Sequence, residues 1–306
     1  MLFRLKAIFK CREDQREKYI IDSERSNATL PAANCRLCCD SLGSQESNSI
    51  LECPSCESVM TGTVPSNAVL ARLYQSYSDG YTGGGVSRGR NQIRYARAYL
   101  RRVHRHSSCG KLLDVGCSTS PFPNLAAEVN FDTTVADFAK PVGLSADVQY
   151  LQGDLNSVTL LNSGQIYDVI TAWAVIEHTG DPNLAFSIFA KLLKAGGHLH
   201  ITTPEYGTVL TRGTAGRTNW LYPPEHLHLI SPVAMRLIAA RHGLRLSNWD
   251  RFELSSIRWV VRYGIGALET ILGRSIKFLS PRLWQRLRTT KLSRFYGIAY
   301  YHFERT

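Results

Sequence analysis

The chain has 306 residues, enough for one large domain plus one or two small modules. Apolar residues make up 44% and charged residues 20%, which excludes a disordered chain or a fibre, and a mean hydropathy of -0.16 with no long uncharged apolar run excludes a spanning helix. Lysine and arginine outnumber aspartate and glutamate 36 to 25, a formal charge of +11 that suits an anionic partner.

Residues 1–33 read as a flexible, charge-mixed tail. Its start, MLFRLKAIFK, is short and interrupted by Arg4 and Lys6, so no secretion signal is expected and the cytoplasm is the expected location. Residues 34–66 form a compact unit: CRLC, a fourteen-residue Ser- and Asn-rich stretch, then CPSC. Two CxxC turns bring four thiolates, Cys35, Cys38, Cys53 and Cys56, to the corners of a closed tetrahedral shell, so a structural zinc ribbon is expected. A set of reduced, buried cysteines is the alternative. Cys39 reads as a bystander that could also replace Cys38.

Residues 67–110 carry helical patterns at Ala68–Tyr77 and Asn91–His106, separated by SDGYTGGGVSRGR. That Gly-rich break has neither a preceding strand nor a Lys-Ser/Thr ending, so it reads as a connection and not a phosphate loop, and the region as a helical linker or lid. From 111 to 252 apolar runs alternate with helical patterns. KLLDVG, TTVADF, VQYLQGD, YDVITAWAVIEH, HLHITTP and LRLSNWDRF read as strands, while FPNLAAEV, NLAFSIFAKLLKAGG and SPVAMRLIAARHG read as helices. The expected fold class is α/β: a Rossmann-like, doubly wound, mostly parallel sheet with its ligand at the carboxyl ends of the strands. Residues 253–306 read as a basic, aromatic helical extension. From Arg251 on, eleven basic residues face three glutamates, which suits phospholipid, nucleic acid or a phosphorylated substrate, or simply a solvated helical face.

Within LLDVGCSTSPF (112–122), an acid at a strand end precedes a small-residue turn and a helix, the arrangement of a nucleotide-type site. Asp137 ends the next strand 137 − 114 = 23 residues on, where an acid pairs with ribose hydroxyls, and Asp154 follows the third strand, within reach of an adenine edge. Three acids at successive strand ends suit an adenosyl ligand without phosphates.

LLDVGC, Asp137, GDL at 153–155, YDVITAWAVIEHTGDP at 167–182 and LKAGGHLHITTP at 193–204 resemble the successive motifs of class I S-adenosylmethionine-dependent methyltransferases, with VIEH and DP typical of the ubiquinone-biosynthesis-like subgroup. Some bacterial members also carry an N-terminal CxxC–CxxC ribbon followed by a segment similar to VPSNAVLARLYQSYSDGY here. The resemblance implies that Asp114, Gly116, Cys117 and Ser118 shape the methionine end of the cofactor site. Asp137 would hold the ribose, Asp154 and Leu155 would frame the adenine, Trp173 would stack on the cofactor, and Phe138 would also line the cofactor site. Ser118 and Ser120 stand where the family usually has glycines. Either their hydroxyls bond the cofactor or binding is weakened toward a catalytically silent relative.

Methyl transfer to oxygen or carbon needs a base as well as alignment. His178, in the Glu-His pair after the fourth strand, and His226, in YPPEHLHLIS, are the candidates, with Glu225 assisting. The Tyr-x-x-Glu-His spacing is similar to that of sugar C-methyltransferases with a zinc-binding N-terminal module, which places Tyr222, Glu225 and His226 in the pocket. His198, His200 and His228 read as structural. The expected activity is S-adenosylmethionine-dependent methylation of a sugar, nucleotide-sugar or glycolipid precursor, with the basic extension reaching an anionic inner membrane face. The alternatives are a quinone-like O-methyltransferase and an RNA-binding or RNA-modifying protein.

Overall fold

The computed structural model describes residues 30–31, 34–42, 50–66, 68–70, 86–155, 159–207, 221, 225–252 and 298–306. The expectations for the tail before residue 30, for residues 71–77, for Tyr222 and for the basic segment 253–297 lie outside them.

Four short strands open the chain: β1 (Leu30–Pro31), β2 (Ile50–Glu52), β3 (Val59–Thr61) and β4 (Thr63–Val64), β1 pairing with β4 and β2 with β3, both antiparallel. Helix α1 (Val86–Val103) begins five residues earlier than its apolar pattern suggests, so part of the Gly-rich break is helical. Ala96, Leu100 and Val103 recur at helical spacing on one face and are buried against Leu112, Phe122, Phe131 and Val169.

The main sheet follows. β5 (Gly110–Val115), α2 (Phe122–Ala127), β6 (Phe131–Asp137), β7 (Gln149–Gln152), β8 (Tyr167–Trp173), α3 (Pro182–Leu192), β9 (Leu193–Pro204), β10 (His228–Leu229), α4 (Pro232–Arg241), β11 (Leu244–Phe252) and β12 (Ile298–Arg305) appear in that order. All but β10 of these strands build a seven-stranded sheet ordered β11-β12-β9-β8-β5-β6-β7. The five strands from β9 to β7 are parallel, and β12 lies antiparallel to both neighbours. This is the expected Rossmann-like α/β architecture. Central β5 is buried from Leu112 to Val115, as a strand covered by helices on both faces must be. Asp181 caps α3 by accepting from the amides of Asn183 and Leu184, and Ser231 caps α4 by accepting from Ala234.

Three further boundaries differ from the sequence reading. The fourth strand stops at Trp173 instead of running to His178, because Ala174 takes a left-handed φ of 57° and Ile176–His178 forms a single 3-10 turn. Helix α3 ends at Leu192, well before the Gly196–Gly197 stop expected for it, since β9 claims the chain from Leu193. The third is the largest: residues 298–305 are not part of a helical extension. They form β12, in the interior of the sheet, with Ala299, Tyr301 and Phe303 buried in the core. The sheet domain therefore does not close at residue 252.

The cysteine module is built onto this sheet. β10 pairs antiparallel with β3, His228 opposite Met60 and Leu229 opposite Val59, so a strand from the sheet domain completes the module's small sheet. The Thr61 amide donates to Leu227 O at 3.0 Å, and the Ser231 amide donates to Ser58 Oγ at 2.9 Å. Arg241 Nη2 donates to Cys38 O at 2.6 Å, and Asn183 Nδ2 to Arg36 O at 2.7 Å. The four cysteines share one apolar core with Ile188, Ile230 and Met235. Among the described residues no helix is long and apolar enough to cross a membrane.

Candidate functional site

The carboxyl ends of β5, β6, β7 and β8 point the same way and place Val115, Asp137, Gln152 and Trp173 along one edge. Asp114 is fully buried, accepts from the Thr171 hydroxyl through Oδ1, and leaves Oδ2 without a partner among the described residues. Burial, opposed by that hydrogen bond, pushes its carboxyl up to about 8. Gly116 follows with φ +70, and a Cβ there would stand 2.8 Å from Val175 Cγ2, so both conformation and space require glycine.

The serine departures resolve separately. Ser118 adopts φ 50, a conformation costing a non-glycine residue about 1–2 kcal/mol. Its amide is engaged, donating to Asp137 Oδ2 at 2.8 Å, while the Phe138 amide donates to Oδ1 at 2.8 Å. The Asp137 carboxylate is thus clamped at the crevice, and burial raises its pKa. Ser120 Oγ accepts from the Phe122 amide at 3.3 Å and so serves the start of α2. The Cys117 thiol is buried beneath the turn, with its pKa raised by that burial. The Gly153 amide donates to Asp137 O at 3.1 Å, which brings Asp154 and the buried Leu155 to the same edge. Trp173 does not have a free face toward Tyr99: the two rings stack at 4.1 Å and 4°, with Phe122 edge-on at 5.4 Å. Its stacking partner is a residue of α1.

Beyond the end of β9 a second cluster forms. Glu205 bridges to Ile230, and the Leu227 amide donates to Glu177 O at 2.8 Å, so the segment 225–231 lies against the 3-10 turn after β8. His178 Nδ1 is 2.9 Å from Glu225 O, and the His178 and His226 rings meet edge-to-face at 4.5 Å. Burial, then the neighbouring His226, lowers the His178 pKa well below its usual value. Glu177, which sequence reasoning passed over, joins them: it is wholly buried, and burial, opposed by its own backbone and the Thr203 hydroxyl, pushes it up to about 8. Donor atoms of Glu177, His178 and His226 lie within 4.8 Å of one another. The signal available was the repeat of the pair Glu-His at 177–178 and 225–226. His228 Nε2 bonds Thr179 O at 2.9 Å, a structural role as expected.

The four cysteines converge. Their sulfurs lie within 4.8 Å of one another, with Cys35 to Cys56 at 3.6 Å and Cys38 to Cys53 at 3.5 Å. A tetrahedron of Zn–S bonds about 2.3 Å long has edges of about 3.75 Å, so the donor set fits zinc. Both knuckles close alike, the residue after each pair (Cys39, Glu57) taking a positive φ and donating its amide to the first cysteine's carbonyl. Cys39 points away, its sulfur 3.2 Å from Arg241 Nη1, and is the bystander. The Cys56 hydrogen bond lowers the pKa of the Cys35 thiol, while burial raises that of Cys38.

A family profile described as a methyltransferase domain matches residues 88–247, more than half of the chain. The chain belongs to this methyltransferase family. The methyltransferase is 29% identical over 170 residues to a ubiquinone biosynthesis O-methyltransferase of Pectobacterium atrosepticum, covering 47% of this chain and 69% of the relative. It is 27% identical over 177 residues to one of Brucella anthropi, covering 49% and 71%. Among solved structures, the complex between the Haloferax volcanii Trm112 methyltransferase activator and a methyltransferase contains a chain similar in fold to this one, with a TM-score of 0.50 and 12% identity, covering 76% of this chain and 97% of that one. The methyltransferase uses S-adenosylmethionine as methyl donor.

Proposed function

We propose that this methyltransferase acts on a hydroxyl group of a small-molecule acceptor, with His226 as the base. One observation carries the reading: two Glu-His pairs distant in sequence meet beyond β8 and β9, on the same edge of the sheet as the clamped Asp137. The donor supplies an electrophilic methyl on sulfur; the rest is done by this chain. Asp137 pairs with the ribose hydroxyls, and its clamp fixes where they lie. Asp114, whose buried Oδ2 has no partner among the described residues, would accept a hydrogen bond at the methionine end, where a bound positive charge would draw its raised pKa back down. Asp154, Leu155 and Phe138 border the base. His178, held by Glu225 O, keeps the loop carrying His226 in register. As the carbon–sulfur bond breaks and the new carbon–oxygen bond forms, the hydroxyl proton passes to the His226 imidazole. Glu225 stands on that side, and the Tyr-x-x-Glu-His spacing assigns Tyr222 to it as well.

The names of the relatives favour a quinone-like phenolic acceptor. The cysteine module seated directly on the His226 loop favours the second acceptor class, a sugar, nucleotide sugar or glycolipid precursor, whose resemblance rests on Tyr222, Glu225 and His226. A lipid-linked acceptor would be met at an anionic inner membrane face, to which the positive charge of residues 253–297 is suited. The module itself holds one structural zinc through Cys35, Cys38, Cys53 and Cys56.

Methyl-labelled donor incubated with catechols and, separately, with nucleotide sugars tests the reading. Label is expected on an acceptor oxygen with the wild-type chain and about 100-fold less of it with His226→Ala at unchanged donor affinity. Equal labelling by that variant would remove His226 as base.

A further inference from the structure

On the sheet below the crevice, with the His200 ring 6.5 Å from that of Trp173, four of the chain's nine histidines gather. β9 presents His198 and His200, β12 presents His302 and Glu304 in register opposite them, and His106, just past α1, closes over the top. Polar residues at successive inward positions of two interior strands are costly unless they are satisfied. They are not all satisfied as they stand: His302 is fully buried with Nδ1 lacking a partner among the described residues, and so is His200 Nε2.

We propose that His198, His302 and Glu304 form a second metal site, for a divalent transition cation of the zinc or nickel class, clipping β12 to β9. Donor atoms of these three residues lie within 4.8 Å of one another. The facing nitrogens, His198 Nδ1 and His302 Nε2, are 3.1 Å apart. Two metal–nitrogen bonds of about 2.1 Å subtend about 3.0 Å at a right angle and about 3.4 Å at the tetrahedral angle, so one cation fits between them. Two imidazoles and a carboxylate match borderline cations better than magnesium or calcium. Arg245 pairs with Glu304 Oε2 and orients the carboxylate from outside, as partners of metal-binding carboxylates do. The stacked His106, 3.7 Å from His302, and His200, 4.9 Å away, wall the site on its inner side. His198 and Glu304 are only partly buried and provide the entry. The clip would join positions 302 − 198 = 104 residues apart.

The test uses the full chain carrying its cysteine-bound metal. Cobalt(II) or nickel(II) is added and counted by equilibrium dialysis, and melting is followed alongside. One further equivalent is expected, without new thiolate-to-cobalt absorption, and it should raise the melting temperature. His198→Asn and Glu304→Gln, both at partly exposed positions, should each weaken it at least about ten-fold. The proposal is overturned if no further equivalent binds, if both variants keep it, or if His226→Ala removes it instead. The last result would place the cation at the Glu177–His178–His226 cluster, and a pair that only shares a proton would give the first.

Discussion

The imidazole of His178 donates through Nδ1 to the carbonyl oxygen of Glu225 at 2.9 Å, joining two Glu-His pairs that stand 47 residues apart in the chain. Because a carbonyl only accepts, this bond fixes the His178 tautomer. His178→Gln, which can keep a donor near that carbonyl, is expected to retain more activity than His178→Ala. The alanine variant should lose about 10-fold in kcat with little change in donor affinity. Equal losses for the two would remove the positioning role.

Asp137→Ala deletes the acceptor for two backbone amides, those of Ser118 and Phe138, as well as the ribose partner. The Ser118 amide is exposed and the Phe138 amide half-buried, so water can replace part of these bonds and the main loss is the fixed position of the carboxylate. Donor affinity is expected to fall by at least about 100-fold in calorimetry, and Asp137→Asn should recover little, since it presents only one accepting oxygen.

Gly116→Ala combines a positive φ with a 2.8 Å clash against the Val175 side chain. Strain of about 1–2 kcal/mol is expected from the backbone alone. Shortening Val175 to alanine in the same chain should restore part of the lost donor affinity, and failure to do so would show that the φ, not the contact, dominates.

Cys53→Ser should abolish the bound zinc, expected at about one per chain by metal analysis. The consequence should reach the sheet domain, because β3 pairs with β10 and the Ser231 hydroxyl donates to Cys56 O. A loss of about 3 kcal/mol would lower the melting temperature by about 6–12 °C. Activity should fall with it, through the His226 loop.

Acid should destabilise the fold through His178 and His228. Burial is the main cause of the depressed pKa in both; the nearby charges of His226 and Arg36 respectively add to it. In the unfolded chain these imidazoles take up protons near pH 6.5, and in the folded chain they resist doing so. Their neutral burial is therefore fully tolerated above pH 6.5, and stability falls as the pH drops below it, at up to about 1.4 kcal/mol per pH unit for each. Asp114 and Glu177, held up to about 8, gain stability as the pH falls and oppose this loss over the same range, so the histidine contribution is read by difference: the melting temperature of His228→Gln should rise relative to wild type as the pH is lowered from 6.5 to 5.

The alternation of apolar runs and helical patterns made the parallel part of the sheet legible, and strand-end acids with a tight turn marked the crevice. Spacing alone also located the four converging cysteines. What escaped was set by distant partners. IAYYHFER carries apolar residues on one face and Tyr300, His302 and Glu304 on the other, and the His198–His200 face of β9, with His106, Arg102 and Arg245, gives those polar groups company. Glu177 escaped because a glutamate beside a histidine reads as an exposed turn until the 225–231 segment covers it. Trp173 found its stacking partner on α1, across a stretch whose packing periodicity could not assign.

Phe252 and Ile298 stand side by side as the last pair of the β11–β12 hairpin, with Ile298 also abutting Pro204. Whatever shape residues 253–297 take, they depart and return through a single doorway at the crevice end of the sheet. Nine of the chain's cations and just two of its anions therefore fall, in sequence, between two residues that the sheet holds side by side.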